Sequence, residues 1–94
     1  PETGLYHPAL PQRLSESLAD LPRPQKPTGT VGVLVMRSYV LSGDSAHYDR
    51  VIAKLEARGL RVIPAFASGL DARPAIEKFF FEKGRVAVDA VLSL

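Results

Sequence analysis

The pattern of apolar and polar positions changes at about residue 30. From there, Thr30-Val31-Gly32-Val33-Leu34-Val35-Met36 is a continuous apolar and β-branched run. Such a run predicts a strand buried on both faces, as in a parallel sheet. Arg37 to Gly43 reads as a loop. Asp44 is a candidate N-cap, and after it Tyr48, Val51, Ile52 and Leu55 fall at i, i+3, i+4 and i+7, one stripe of a helix. Arg58 in the last turn and Gly59 beyond it supply the stop. Leu60-Arg61-Val62-Ile63-Pro64-Ala65-Phe66 predicts a second strand. Its Pro64 has no N–H to donate, which predicts an edge position or an early end to pairing. Ser68 to Asp71 reads as a turn. Pro74 suits the first turn of a second helix, with Ile76, Phe79 and Phe80 as its apolar stripe and Gly84 as its end. Val86 to Leu94 predicts a third strand.

The order over residues 30–94 is strand, helix, strand, helix, strand. Short connections and right-handed crossovers make this half of a doubly wound α/β fold, flavodoxin-like or Rossmann-like. The expected sheet has three parallel strands in the order 2-1-3, with the most apolar strand central. Nothing in the pattern covers the far side of the third strand, so the expectation is a portion of a larger α/β domain. Residues 1–29 differ. Five of the eight prolines lie between Pro8 and Pro27. The stretch Leu21-Pro22-Arg23-Pro24-Gln25-Lys26-Pro27 lacks donors and favours extended backbone, so it reads as a linker. Before it, Leu14, Leu18 and Leu21 at i, i+4 and i+7 predict a short helix over residues 11–20. The expected division is therefore 1–29, an N-terminal helix and Pro-rich linker, and 30–94, the β-α-β-α-β portion.

Composition narrows the function classes. Ninety-four residues support one core. With 46% hydrophobic and 23% charged residues the chain has a globular balance. The absence of cysteine excludes a disulfide framework, a thiolate zinc site and a cysteine nucleophile. Two histidines exclude a histidine-rich metal site, and the sequence leaves any metal ligand unknown. A net charge of +2 without a run of Lys or Arg gives no nucleic-acid footprint. No apolar run is long enough to span a bilayer, and no basic start leads into an apolar signal. The expected location is cytoplasmic.

Open α/β sheets bind ligands beyond the carboxyl ends of their strands. At that edge Arg37-Ser38-Tyr39-Val40-Leu41-Ser42-Gly43-Asp44 offers a guanidinium and three hydroxyl groups. It has no phosphate-loop spacing, and no Ser-His-Asp arrangement can be assembled. Arg37 either binds a carboxylate or pairs with a neighbouring domain. Asp44 either caps the helix or serves as an acid. His47 is either a ligand or proton donor near the loop or a boundary histidine hydrogen-bonded near the cap. Glu56 reads as solvated, and Glu77 lies beside the aromatic stripe. Phe79 and Phe80, with Phe81 behind, read as core plus one domain contact.

Several ordered segments carry a family likeness over nearly all of the chain. They are Thr3-Gly4-Leu5-Tyr6-His7-Pro8, Arg37-Ser38-Tyr39, Gly43-Asp44-Ser45-Ala46-His47-Tyr48, Leu55 to Pro64, Ala65 to Asp71, and Glu77-Lys78-Phe79-Phe80. With them the chain resembles the large porphyrin-binding H subunits of magnesium chelatases, and looks most like the bacteriochlorophyll-pathway branch. The related cobalt chelatase subunit of cobalamin synthesis shares the Gly43-Asp44 turn and the Leu55-to-Leu60 segment. Tyr6-His7-Pro8 and His47-Tyr48 look more like the magnesium branch, while residues 20–28 carry over poorly. The resemblance implies ATP-dependent insertion of Mg²⁺ into protoporphyrin IX in (bacterio)chlorophyll biosynthesis. It implies Mg²⁺ and protoporphyrin IX as substrates, ATP used by two separate motor subunits, and those subunits and the rest of the large subunit as partners. The chain would be an internal piece, inactive alone and without a tightly bound cofactor. Within it the candidate catalytic residue is His47, and the candidate substrate-binding residues are Arg37, Ser38, Asp44 and Tyr48. Phe79 to Phe81 as a porphyrin platform is a lesser reading. The alternatives are a structural or docking module that contacts the motor subunits, a cobalt chelatase subunit, and, more remotely, a free-standing ligand-binding domain.

Overall fold

The computed structural model describes residues 2–69 and 71–94; Pro1, and Leu70 within the turn expected over Ser68 to Asp71, lie outside the described residues. The strands are β1 (Thr3–Tyr6), β2 (Leu14–Ser15), β3 (Gly29–Leu34), β4 (Leu60–Ala67), β5 (Phe81–Glu82), β6 (Arg85–Val86) and β7 (Ala90–Ser93). The helices are α1 (Arg37–Leu41), α2 (Ala46–Ala57) and α3 (Arg73–Phe79). Five strands form the main sheet in the order β2-β1-β4-β3-β7. β3 runs parallel to both β4 and β7, while β1 and β2 are antiparallel additions. The expected 2-1-3 order of parallel strands is present as β4-β3-β7, inside a mixed sheet that is larger than expected.

The additions come from the N-terminal stretch. No α-helix forms over residues 11–20. The leucine spacing there is met by a single 3₁₀ turn over Leu18–Asp20, capped by the Ser17 hydroxyl, which brings Leu18 and Leu21 against the core. β1 pairs with β4, so β4 is not an edge strand. Pro64 is tolerated inside it because the β1 ladder runs from Thr3↔Ala67 to Leu5↔Ala65 and stops one residue short of the missing donor.

Other departures have local causes. Arg37–Leu41 is a short helix rather than a loop. The N-cap of α2 is Ser45 and not Asp44, and the Ser45 hydroxyl makes no cap bond because it meets the Tyr6 hydroxyl at 2.9 Å. The third strand begins at Ala90, four residues later than expected from Val86. The preceding residues form a hairpin whose two-residue turn, Lys83 (φ 53°) and Gly84 (φ 76°), is left-handed at both positions, as a type I′ turn requires. Gly84 therefore serves the hairpin, and α3 has already ended at Phe79.

Strand alternation splits the core into two layers. Val31, Val33, Val62, Phe66 and Tyr6 face α2, where Tyr48 and Ile52 meet them. Leu5, Ile63 and Ala65 face the other way, against Ala75, Phe79, Phe80, Leu10 and Leu21. Each large apolar side chain so buried contributes about 1.5–3 kcal/mol. Gly32 in β3 lies under the Phe80 ring, where a Cβ would stand 2.6 Å from Cζ. Gly32→Ala should therefore destabilise the chain by about 1–3 kcal/mol. In urea unfolding, the cost of Gly32→Ala should shrink in a Phe80→Leu background, because the smaller side chain removes the clash. Equal costs in both backgrounds would show that the ring does not set the limit.

Candidate functional site

The carboxyl ends of β3, β4 and β7 open onto a cleft of about 480 Å³. Met36, Arg37 and Ser38 line it after β3, Ser68 and Gly69 after β4, and Ser93 from β7, above an apolar floor that includes Leu34 and Phe66. This is where a parallel α/β sheet presents a site. The buried Tyr48 hydroxyl accepts the Met36 N–H at 2.9 Å and so fixes the backbone immediately before Arg37. One residue earlier, Val35 N–H donates to the Ala65 carbonyl at 3.0 Å. Arg37 thus leaves a rigid strand end. It is half-buried and has no ion-pair partner among the described residues. The nearby Asp71 is taken by Arg73, whose guanidinium donates to it at 2.7 Å and holds its carboxyl down at about 2. A guanidinium beside the Ser38, Ser68 and Ser93 hydroxyls is a donor set suited to a carboxylate or another oxyanion.

The structure thus brings together two of the candidate residues, Arg37 and Ser38, at the cleft. Tyr48 supports the cleft from within the core. Asp44 is exposed between α1 and α2, and its N–H donates to the Tyr39 carbonyl at 2.9 Å. His47 is exposed on the first turn of α2, its ring centroid 4.0 Å from that of Tyr48 and 6.2 Å from that of Tyr39. Neither Asp44 nor His47 lines the cleft. Among the described residues no group of three or more His, Asp or Glu is placed to hold a metal ion.

A polar cluster that the sequence patterns did not single out joins β1 to α2. The Tyr6 hydroxyl bonds to Ser45 Oγ and the Asp49 carboxylate, and accepts from Arg13 at 3.1 Å. Burial, and then the bond to Asp49, push the Tyr6 phenol above its ordinary value. Next to it, the buried His7 accepts the Ala9 N–H at Nδ1, 3.0 Å away. The neutral ring therefore carries its proton on Nε2, which lies 2.8 Å from the Glu56 carboxylate. Glu56 is partly buried and paired, not solvated as its helix position suggests. Asp49 and Glu56 are seven residues apart, two turns of α2, which aligns them on one face. Their partners lie 43 and 49 residues away in sequence, beyond the reach of any local pattern.

The sequence model of the CobN/Magnesium Chelatase family matches residues 1–94. The chain is 53% identical over all 94 residues to a protein of Cereibacter sphaeroides named as the H subunit of magnesium chelatase, and equally to its namesake in Rhodobacter capsulatus. It spans 8% of the length of each. Over 66 residues, 68% of the chain, it is 41% identical to the chloroplastic ChlH subunit of magnesium chelatase from Oryza sativa subsp. japonica, spanning 5% of that protein.

The Tyr6 cluster yields a test with a defined sign. Tyr6→Phe leaves the buried Ser45 hydroxyl without a partner and Asp49 with Arg13 alone, and should cost about 1–3 kcal/mol near neutral pH. The fold holds the neutral phenol, so its contribution is complete below pH 10.0, the ordinary value, and is lost as pH rises through the raised one. Urea midpoints measured from pH 8 upward should converge for wild type and Tyr6→Phe above about pH 10. A gap that stays constant into strong alkali would contradict this.

Proposed function

The chain belongs to the CobN/magnesium chelatase family, and from that membership we propose that it is part of the porphyrin-binding subunit of a magnesium chelatase. The reaction is the ATP-dependent insertion of Mg²⁺ into protoporphyrin IX on the way to (bacterio)chlorophyll. The observation that carries this reading is the 53% identity, unbroken in coverage, to two bacterial proteins named as the H subunit of that enzyme. Cobalt chelation is the alternative within the family; the magnesium name on the bacterial and plant relatives alike favours magnesium.

In this reading the cleft receives one edge of the porphyrin. Its propionates are anions, and Arg37 with the Ser38, Ser68 and Ser93 hydroxyls would bind one of them. Leu34 and Phe66 would take the apolar edge of the ring. A cleft of about 480 Å³ at one end of a small sheet accommodates only part of the substrate, so other regions of the subunit complete the pocket. Metal insertion releases two protons from the pyrrole nitrogens. His47, exposed beyond α1, is the imidazole available to accept one of them. Asp44 lies on the same outer side and would meet what projects from the cleft, while Tyr48 positions Arg37 without touching substrate. ATP hydrolysis belongs to separate motor subunits, and the assembly works in the cytoplasm. No helix among the described residues is long and apolar enough to cross a membrane. A docking role for the same segment is supported by Val91, Leu92 and Leu94, which stand exposed at β7 and suit contact with another domain or a motor subunit.

Porphyrin titration and chelation assays on the full-length subunit test the assignment. Arg37→Ala removes a charge-assisted contact worth about 1.5–3 kcal/mol, so porphyrin affinity should fall about 10- to 150-fold. His47→Ala should slow chelation more than it weakens binding. Wild-type binding and wild-type rates in both folded variants would remove the loop from the site.

A further inference from the structure

A second cleft, also about 480 Å³, shares no lining residue with the first. It lies on the α3 side of the sheet, toward the start of β4. Its walls are apolar, from Leu21, Ile63, Phe79 and Phe81. Two basic residues, Arg23 and Arg61, line it together with one carboxylate, Glu82.

Arg61 is out of keeping with its place in the strand. Strand alternation puts it on the same side as Ile63 and Ala65, the side that packs the core. Its Nε is buried and has no hydrogen-bond partner among the described residues. An unmade hydrogen bond at a buried charged donor costs more than one at a neutral donor. Burial and then the charge of Arg23 lower the Arg61 pKa, and Glu82 offsets this in part. Two cations and one carboxylate line the cleft, and the excess of positive charge on an apolar wall suits an anion. The walls call for an apolar body attached to it.

We propose that the Arg23–Arg61 cleft is a second binding site, which takes a carboxylate borne on an apolar body. The outer guanidinium nitrogens of Arg61 and Arg23 bind the oxyanion; Leu21, Phe79 and Phe81 hold the apolar part. Such a group has two sources: a free amphipathic carboxylic acid, or an Asp or Glu on an apolar segment of the same protein outside residues 1–94. The second source is available because the chain spans only 8% of its bacterial relatives.

Octanoate and octanol, titrated against the full-length subunit, separate charge from apolar contact. For a free ligand, octanoate should bind about tenfold or more tightly than octanol, and Arg61→Gln should abolish that preference. Arg23→Gln, in the exposed segment, should reduce the preference too and serves where Arg61→Gln does not fold. For a carboxylate supplied by the protein itself, octanoate should not bind. A photo-crosslinking p-benzoylphenylalanine in place of Phe81 should then couple to an apolar peptide from outside residues 1–94 that contains Asp or Glu. The proposal is overturned if octanoate has no advantage, or keeps it in both variants, and the crosslinker finds no acidic peptide outside residues 1–94.

Discussion

The structure depends on the enclosure of one strand, whose residues from Val62 to Phe66 are all buried. β4 pairs with β3 from Leu60 to Ala65 and with β1 from Ala65 to Ala67, and it is covered on both faces, by α2 and by α3. A backbone so enclosed must find all its partners within the protein. That requirement brings the N-terminal stretch into the sheet, since without β1 the edge of β4 beside Ala65, Phe66 and Ala67 would be unpaired. It also fixes the faces, because shifting β4 by one residue would exchange Val62 and Phe66 for Ile63 and Ala65 and bring Arg61 round to the α2 core. The cleft follows from the same arrangement. Its floor is where β3 ends, with Leu34 opposite Ala65, while β4 continues to Ala67.

The parallel part of this sheet was legible in the sequence because its signal is local. A β-branched run marks β3, a single stripe marks α2, and the alternation of strand and helix implies β4-β3-β7. What the sequence hid has no local signal. Thr3-Gly4-Leu5-Tyr6 is too short to show a period, and its Gly4 has a meaning only beside Phe66, whose ring lies 2.5 Å from where a Cβ would be. Of the two readings of Pro64, the edge fails and the early end to pairing holds: β4 needs only that its neighbour stop before the missing donor. Lys83 conceals a left-handed turn behind a residue that rarely adopts one.

The candidate site was legible to the same degree and for the same reason. Arg37 and Ser38 directly follow a strand whose end can be read, so fold topology alone puts them at the cleft. Tyr48 reads as core and is core, yet its hydroxyl extends that role to the backbone before Arg37. Tyr6 and His7 with their partners, and the buried Nε of Arg61, have no such local signal. A buried polar residue acquires its role from groups the fold brings to it, and sequence neighbours do not name them.

The helix α1 stands apart from this enclosed framework. None of its five residues is buried, and Tyr39 and Leu41 are largely exposed. Opening α1 would disrupt few apolar contacts, so its amides should exchange with solvent through local fluctuation while those of β3 and β4 wait for global unfolding. The cleft therefore has a rigid floor and a compliant lip. The cleft can widen by displacement of the lip alone, at a free energy unrelated to the stability of the sheet beneath it.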